Sequence, residues 1–126
     1  MNEPNKKVLI VEDDKDYLWI LRQSLGRENV TVVFTMDGEA GLEMAEKEKP
    51  DLIILDVKLP GMDGIIVAEK LKEKGSKAPI IFLTAYDDPE HISRATEAVK
   101  ETQYIVKSDL HTDEIVAEVK KKLGIK

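Results

Sequence analysis

Leu52-Ile53-Ile54-Leu55-Asp56-Val57-Lys58-Leu59-Pro60-Gly61-Met62-Asp63-Gly64 is the stretch on which the fold turns. Its four leading apolar residues suit a strand covered on both faces, as strands of a parallel sheet are. The run stops on a carboxylate, Asp56, and then passes through a Pro-Gly turn to Asp63, a residue suited to cap a helix. An earlier run, Val8-Leu9-Ile10-Val11, ends the same way, on Glu12 and Asp13. Packing gives no reason for two buried strands each to end on acid. Ligands of open parallel sheets bind in the crevice outside the carboxyl ends of the strands. Three carboxylates gathered there repel by about 4 kcal/mol per close pair at an effective dielectric of about 20. They stay ionised together only with a cation among them, and an open, oxygen-lined cluster suits Mg²⁺.

Outward from that stretch, five β-type runs (7–11, 30–35, 51–56, 79–84 and 103–106) alternate with five amphipathic stretches. Helical spacing shows at Ile92, Ala95 and Val99, and again at Ile115, Val119 and Leu123. The punctuation agrees: Gly26 closes the first helix, Gly75 follows the third, and Pro79 opens the fourth strand. Asp14 is expected to cap the first helix, Asp63 the third and Thr112 the fifth. Strand and helix in strict alternation imply an α/β fold with a doubly wound parallel sheet. No repeat, low-complexity tract or change of composition divides the chain, so residues 1–126 are expected to form one domain without an output domain.

The composition fits such a domain. The chain has 126 residues, 42% of them apolar, and a formal charge of −6. It has no cysteine, which removes thiol chemistry and disulfides and favours a reducing compartment. The start, Met1-Asn2-Glu3-Pro4-Asn5-Lys6-Lys7, has no apolar core of a signal peptide, and no apolar run approaches the roughly 18 residues of a membrane span. The acidic balance argues against a nucleic-acid partner, and Lys120-Lys121-Lys122 reads as favourable charge at a helix C-terminus. The expectation is a cytoplasmic protein that binds neither nucleic acid nor membrane.

The strand ends can now be read together: Glu12-Asp13, Asp56, Thr84 and Lys107 fall at one edge of the sheet. A nucleophilic carboxylate, two metal-holding carboxylates, a hydroxyl and an ammonium make a phosphoryl-handling set. Five stretches in this order resemble the CheY-like receiver domain of two-component response regulators. They are Val8 to Asp14, Asp51 to Asp56, Leu59 to Gly64, Pro79 to Ala85 and Tyr104 to Lys107. The strand order 2-1-3-4-5, of which CheY is itself a standard example, comes with the resemblance.

That resemblance implies a signalling domain that assists only its own phosphorylation and dephosphorylation and is no enzyme otherwise. Asp56 would accept a phosphoryl group from a phosphohistidine on a sensor histidine kinase or phosphotransfer protein. Asp13 would hold Mg²⁺ directly and Glu12 through water, with Asp56 and the backbone carbonyl of Lys58 adding oxygens. Thr84 would hydrogen-bond the phosphoryl group, Lys107 would pair with it, and Tyr104 would move inward in response. The readout face would be built by the fourth and fifth helices and the fifth strand, where a downstream protein, or a second copy in a homodimer, would dock.

The chain departs from the family pattern on that side. Ser108 stands where proline usually follows the lysine, so a trans Lys107–Ser108 bond is expected, because cis costs about 2.5–4 kcal/mol before a non-proline. The loop Ser108 to Thr112 is one residue longer, and Lys100-Glu101 replaces a small pair. Lys58 and Tyr86 flank the expected path of attacking water and are candidates for tuning acyl-phosphate lifetime. Two competing readings remain in view. A pseudo-receiver would keep the fold as a binding module without phosphorylation. A haloacid-dehalogenase-type phosphatase would want Asp-x-Asp on the first strand, and here Lys58 stands two residues beyond Asp56. A flavodoxin-like nucleotide binder fails on charge, since Glu12-Asp13-Asp14 would repel phosphate. Tyr104 also fits a plain edge aromatic, Trp19 a half-buried packing residue, and His91 and His111 exposed positions.

Overall fold

The computed structural model describes residues 6–84, 103–107 and 111–125. Strands β1 (Lys6–Val11), β2 (Val30–Thr35), β3 (Leu52–Leu55), β4 (Ile80–Thr84) and β5 (Gln103–Val106) form one sheet in the order β2-β1-β3-β4-β5. Every pairing is parallel. Helices α1 (Lys15–Gly26), α2 (Gly38–Glu48) and α3 (Gly64–Glu73) and a C-terminal helix (Thr112–Leu123) cover it. The expected doubly wound architecture and strand order are therefore present. The expected fourth helix, with Ile92, Ala95 and Val99, lies outside the described residues, as do Tyr86, His91, Lys100, Glu101 and Ser108.

Alternation along the strands sorts the core into two layers. Val8, Ile10, Leu52, Ile54, Ile81, Leu83 and Ile105 pack against Leu18, Leu21 and Leu25 of α1 and Ile115 and Val119 of the C-terminal helix. Their neighbours Leu9, Val11, Ile53, Leu55, Ile80 and Phe82 pack on the other side against Ile65, Ala68 and Leu71 of α3 and Ala45 of α2. Strands covered on both faces are apolar at every position, which is why the sequence shows continuous runs and not alternation.

Caps set where the helices begin. Asp14 Oδ1 accepts from the backbone N–H groups of Asp16 and Tyr17 at 3.1 and 3.2 Å, and Asp63 Oδ1 from those of Ile65 and Ile66 at 2.8 and 3.0 Å. The expected Thr112 cap is corrected: His111 is the N-cap, exposed, and Thr112 is already the first helical residue. The His111 N–H donates to Glu114 Oε1 at 3.2 Å, the return half of a capping box. Trp19 is corrected too. It is 59% exposed, because α1 turns Leu18, Leu21 and Leu25 inward and leaves Trp19 on the outer face.

Two glycines bring helices against the loop after β3. A Cβ on Gly64 would lie 2.0 Å from the carbonyl oxygen of Asp56, and one on Gly38 would lie 2.0 Å from that of Met62. Only glycine lets backbones approach so closely. The Gly64 N–H donates to Val57 O at 2.8 Å and the Gly38 N–H to Pro60 O at 3.2 Å. The loop that follows Asp56 is thereby tied to the starts of α3 and α2.

Candidate functional site

Parallel register decides which side chains meet. Val11 stands opposite Leu55, so Glu12 and Asp56, one residue on, leave adjacent strands side by side. The ladder continues past the strands: the Asp56 N–H donates to Val11 O at 3.0 Å and the Glu12 N–H to Thr35 O at 3.1 Å. Both acids are thus fixed by backbone before any side chain acts. Oxygens of Glu12, Asp13 and Asp56 lie within 4.8 Å of one another. Glu12 and Asp56 are 2% and 7% exposed, while Asp13 is open to solvent.

Lys107, immediately after β5, reaches across the end of β4 to this cluster. Its Nζ lies 2.5 Å from Glu12 Oε1 and 3.4 Å from Asp56 Oδ2. The remaining oxygens are held by the backbone, Glu12 Oε2 by the N–H of Asp14 at 3.1 Å and Asp56 Oδ1 by the N–H of Lys58 at 3.3 Å. The Lys107 ammonium lies on two of these three carboxylates. The electrostatics of the pair reflect this crowding. Burial, with the Asp56 carboxylate beside it, pushes Glu12 up to about 7 even though Lys107 pulls it down. For Lys107, burial acts downward, but the Glu12 hydrogen bond and the Asp56 and Glu12 charges outweigh it and raise the ammonium above its ordinary value.

The other expected site residues are placed unevenly. Thr84 ends β4 in register with Val106, at the same edge as the acids. Tyr104 stands opposite Phe82, with ring centroids 6.3 Å apart, half-buried on the α2 and α3 side of the sheet. Lys58 is exposed and tied to Asp56 through its N–H. Tyr86 and Ser108 lie outside the described residues. Sequence reasoning passed over Tyr17. Its ring centroid lies 4.4 Å from Lys107 Nζ, and its hydroxyl is buried without a hydrogen-bond partner. Burial, and then the Glu12, Asp56 and Asp14 charges, push that hydroxyl up to about 12, so the phenol stays neutral. The one available signal was position, in the first turn of a helix that starts directly after the acidic pair.

The donor set is made of carboxylate oxygens alone, with one ligand open to water, and it fits a hard divalent cation that keeps part of its hydration. A buried carboxylate beside an ammonium is compatible with phosphoryl chemistry, where most of the catalysis is positioning and charge neutralisation.

Comparison with known proteins gives the same family from three directions. Residues 8–120 match the model of the response regulator receiver domain. The chain is 34% identical over 122 residues to sporulation initiation phosphotransferase F of Bacillus subtilis (strain 168), covering 97% of each. It is 45% identical over 84 residues to the alkaline phosphatase synthesis transcriptional regulatory protein PhoP of the same organism, covering 67% of this chain and 35% of that protein. The chain thus spans 35–44% of the length of several curated relatives, which are transcriptional regulators by name. Among solved structures it resembles a CheY-like receiver domain protein from Methanospirillum hungatei JF-1. The TM-score is 0.88 at 29% identity, over 96% of this chain and 95% of that one.

Proposed function

The chain belongs to the response-regulator receiver domain family, and we propose that it is a phosphoryl-accepting switch in which Asp56 is the acceptor. The observation that carries this reading is the cluster itself: three carboxylates within 4.8 Å, with the Lys107 ammonium on two of them. An Asp56 oxygen attacks the phosphorus of a phosphohistidine, the new O–P bond forms as the N–P bond breaks, and the imidazole leaves with a proton. The donor is a sensor histidine kinase or a phosphotransfer protein. Glu12 and Asp13, with Asp56 and the Lys58 carbonyl, would hold Mg²⁺, whose charge would offset that of the transferred group. In this reading Lys107 exchanges its carboxylate contacts for a phosphoryl oxygen, and Thr84 donates its hydroxyl to another.

Tyr104, on the strand next to Thr84, carries the change to the surface around β5, the edge strand of the sheet. A phosphoryl group adds roughly −1.5 to −2 charges, enough to bias a two-state surface toward a protein partner. Lys58, two residues past Asp56, and Tyr86, two past Thr84, are the candidates for setting how long the acyl phosphate lasts. The cytoplasm is the compartment in which such donors occur.

Intact mass after incubation with acetyl phosphate, with and without Mg²⁺, tests the assignment. One Mg²⁺-dependent phosphoryl adduct is expected in the wild type and none in Asp56→Asn. An adduct that survives Asp56→Asn would move the acceptor elsewhere. Absence of any adduct, under conditions that label a known receiver, would favour a phosphorylation-independent binding module.

A further inference from the structure

Among the described residues, Lys107 meets two carboxylates and one aromatic ring. Glu12 and Asp56 take the ammonium at 2.5 and 3.4 Å, and the ring of Tyr17 lies 4.4 Å from it, well inside the roughly 6 Å over which a cation is attracted to an aromatic face. We propose that Tyr17 is a positioning residue for phosphoryl transfer, its ring holding the Lys107 ammonium at the acceptor site when Glu12 is engaged elsewhere. This inference rests on the reading of Asp56 as a phosphoryl acceptor.

The argument is one of competition. Lys107 and a divalent cation compete for the Glu12 carboxylate, one oxygen of which takes the ammonium while the other accepts from the Asp14 N–H, so charge given to the cation is withdrawn from the lysine. A lysine held by carboxylates alone would lose its firmest contact as those carboxylates were neutralised, and its long stem would then sample other rotamers. A neutral aromatic face does not compete for the cation. The attraction is also strongest where the ammonium is partly desolvated, and the Lys107 side chain is only 14% exposed. The ring is well fixed for the task. It sits in the first turn of α1, whose start is capped by Asp14, and it packs against the Leu18, Leu21 and Ile115 side of the core. Its hydroxyl contributes nothing visible, being buried without a hydrogen-bond partner among the described residues. The aromatic face is therefore the working part, and the hydroxyl is dispensable.

Three proteins separate these roles: wild type, Tyr17→Phe, which keeps the face, and Tyr17→Leu, which keeps apolar bulk. Tyr17→Met is the second truncation should the leucine variant fold poorly. The first readout is the rate of Mg²⁺-dependent phosphoryl uptake from acetyl phosphate. Tyr17→Phe is expected within about twofold of wild type and Tyr17→Leu about tenfold slower, the loss of one desolvated cation–π contact. The second readout needs no phosphoryl chemistry. In the folded, metal-free proteins the Lys107 side-chain protons are expected to show an upfield ring-current shift in wild type and Tyr17→Phe, lost in Tyr17→Leu.

A leucine variant as fast as wild type, an equal loss in the phenylalanine variant, or no ring-current shift at Lys107 in wild type would each overturn the proposal. Lower melting temperature with unchanged uptake would reduce Tyr17 to a packing residue and would overturn it as well. If wild type itself takes no phosphoryl group, the acceptor reading is what fails, and the Lys107 shift alone then decides whether the ring holds the ammonium.

Discussion

Glu12 is a carboxylate kept almost entirely from water with one lysine to answer for it, and its titration follows from that. Its ordinary value of 4.5 is raised to about 7, chiefly by burial. The sign follows directly. Between pH 4.5 and 7 the folded chain retains a proton that the unfolded chain has released, so this contribution to stability is complete below 4.5 and is lost as pH rises through 7. The slope approaches about 1 kcal/mol per pH unit inside that window. Denaturant unfolding of the metal-free protein between pH 5 and 8 is expected to show this decline, and Glu12→Gln to flatten it. An equal slope in Glu12→Gln would place the titrating group elsewhere. At this scale the acids were legible in the sequence, because an acid at the end of a buried run has no packing explanation. Tyr17 was not, since its contact with Lys107 joins residues far apart in the chain and exists only once α1 packs on the sheet to which β5 belongs.

Among the elements, the start of α3 does more for the site than its sequence advertises. Asp63 caps it and Gly64 lets it begin against the carbonyl of Asp56, where an added Cβ would lie 2.0 Å from backbone oxygen. Backbone on both sides cannot give way as a flexible side chain can, so Gly64→Ala must displace α3 or the loop after Asp56. A loss of about 2 kcal/mol or more is expected from the urea midpoint. Slower phosphoryl uptake is expected as well, because the same shift moves Asp56. Full stability with alanine at 64 would show that the loop relaxes freely and that the close approach is incidental. The strands were readable to within a residue, since continuous apolar runs leave little choice of period. The last helix was read one residue off because Thr112 and His111 both stand ahead of acidic residues. What selects His111 is the Glu114 side chain returning to its N–H, and three-residue spacing is visible only after a start has been chosen.

Across the whole molecule, the core and the site are kept apart. Both apolar layers lie along the body of the sheet, while Glu12, Asp13 and Asp56 crowd like charge at its C-terminal edge. Stability and function therefore pull in opposite directions at that edge, as is common where a site needs an unfavourable arrangement. Asp13 is the cleanest probe, being exposed and near both buried acids without being packed. Asp13→Asn removes one like charge, so the metal-free variant is expected to be more stable than wild type, by less than about 1 kcal/mol given solvent screening. The same change removes a ligand. Saturating Mg²⁺ at about 100 times its dissociation constant stabilises a folded protein by about 2.7 kcal/mol, which in a chain of this size raises the melting temperature by several degrees. That rise is expected in wild type and is expected to be mostly lost in Asp13→Asn. The two variants would then cross, the asparagine form more stable in chelator and less stable in Mg²⁺. Parallel curves would mean that Asp13 neither repels its neighbours nor holds the cation. A wild type indifferent to Mg²⁺ would remove the metal from this edge and leave its charge to Lys107.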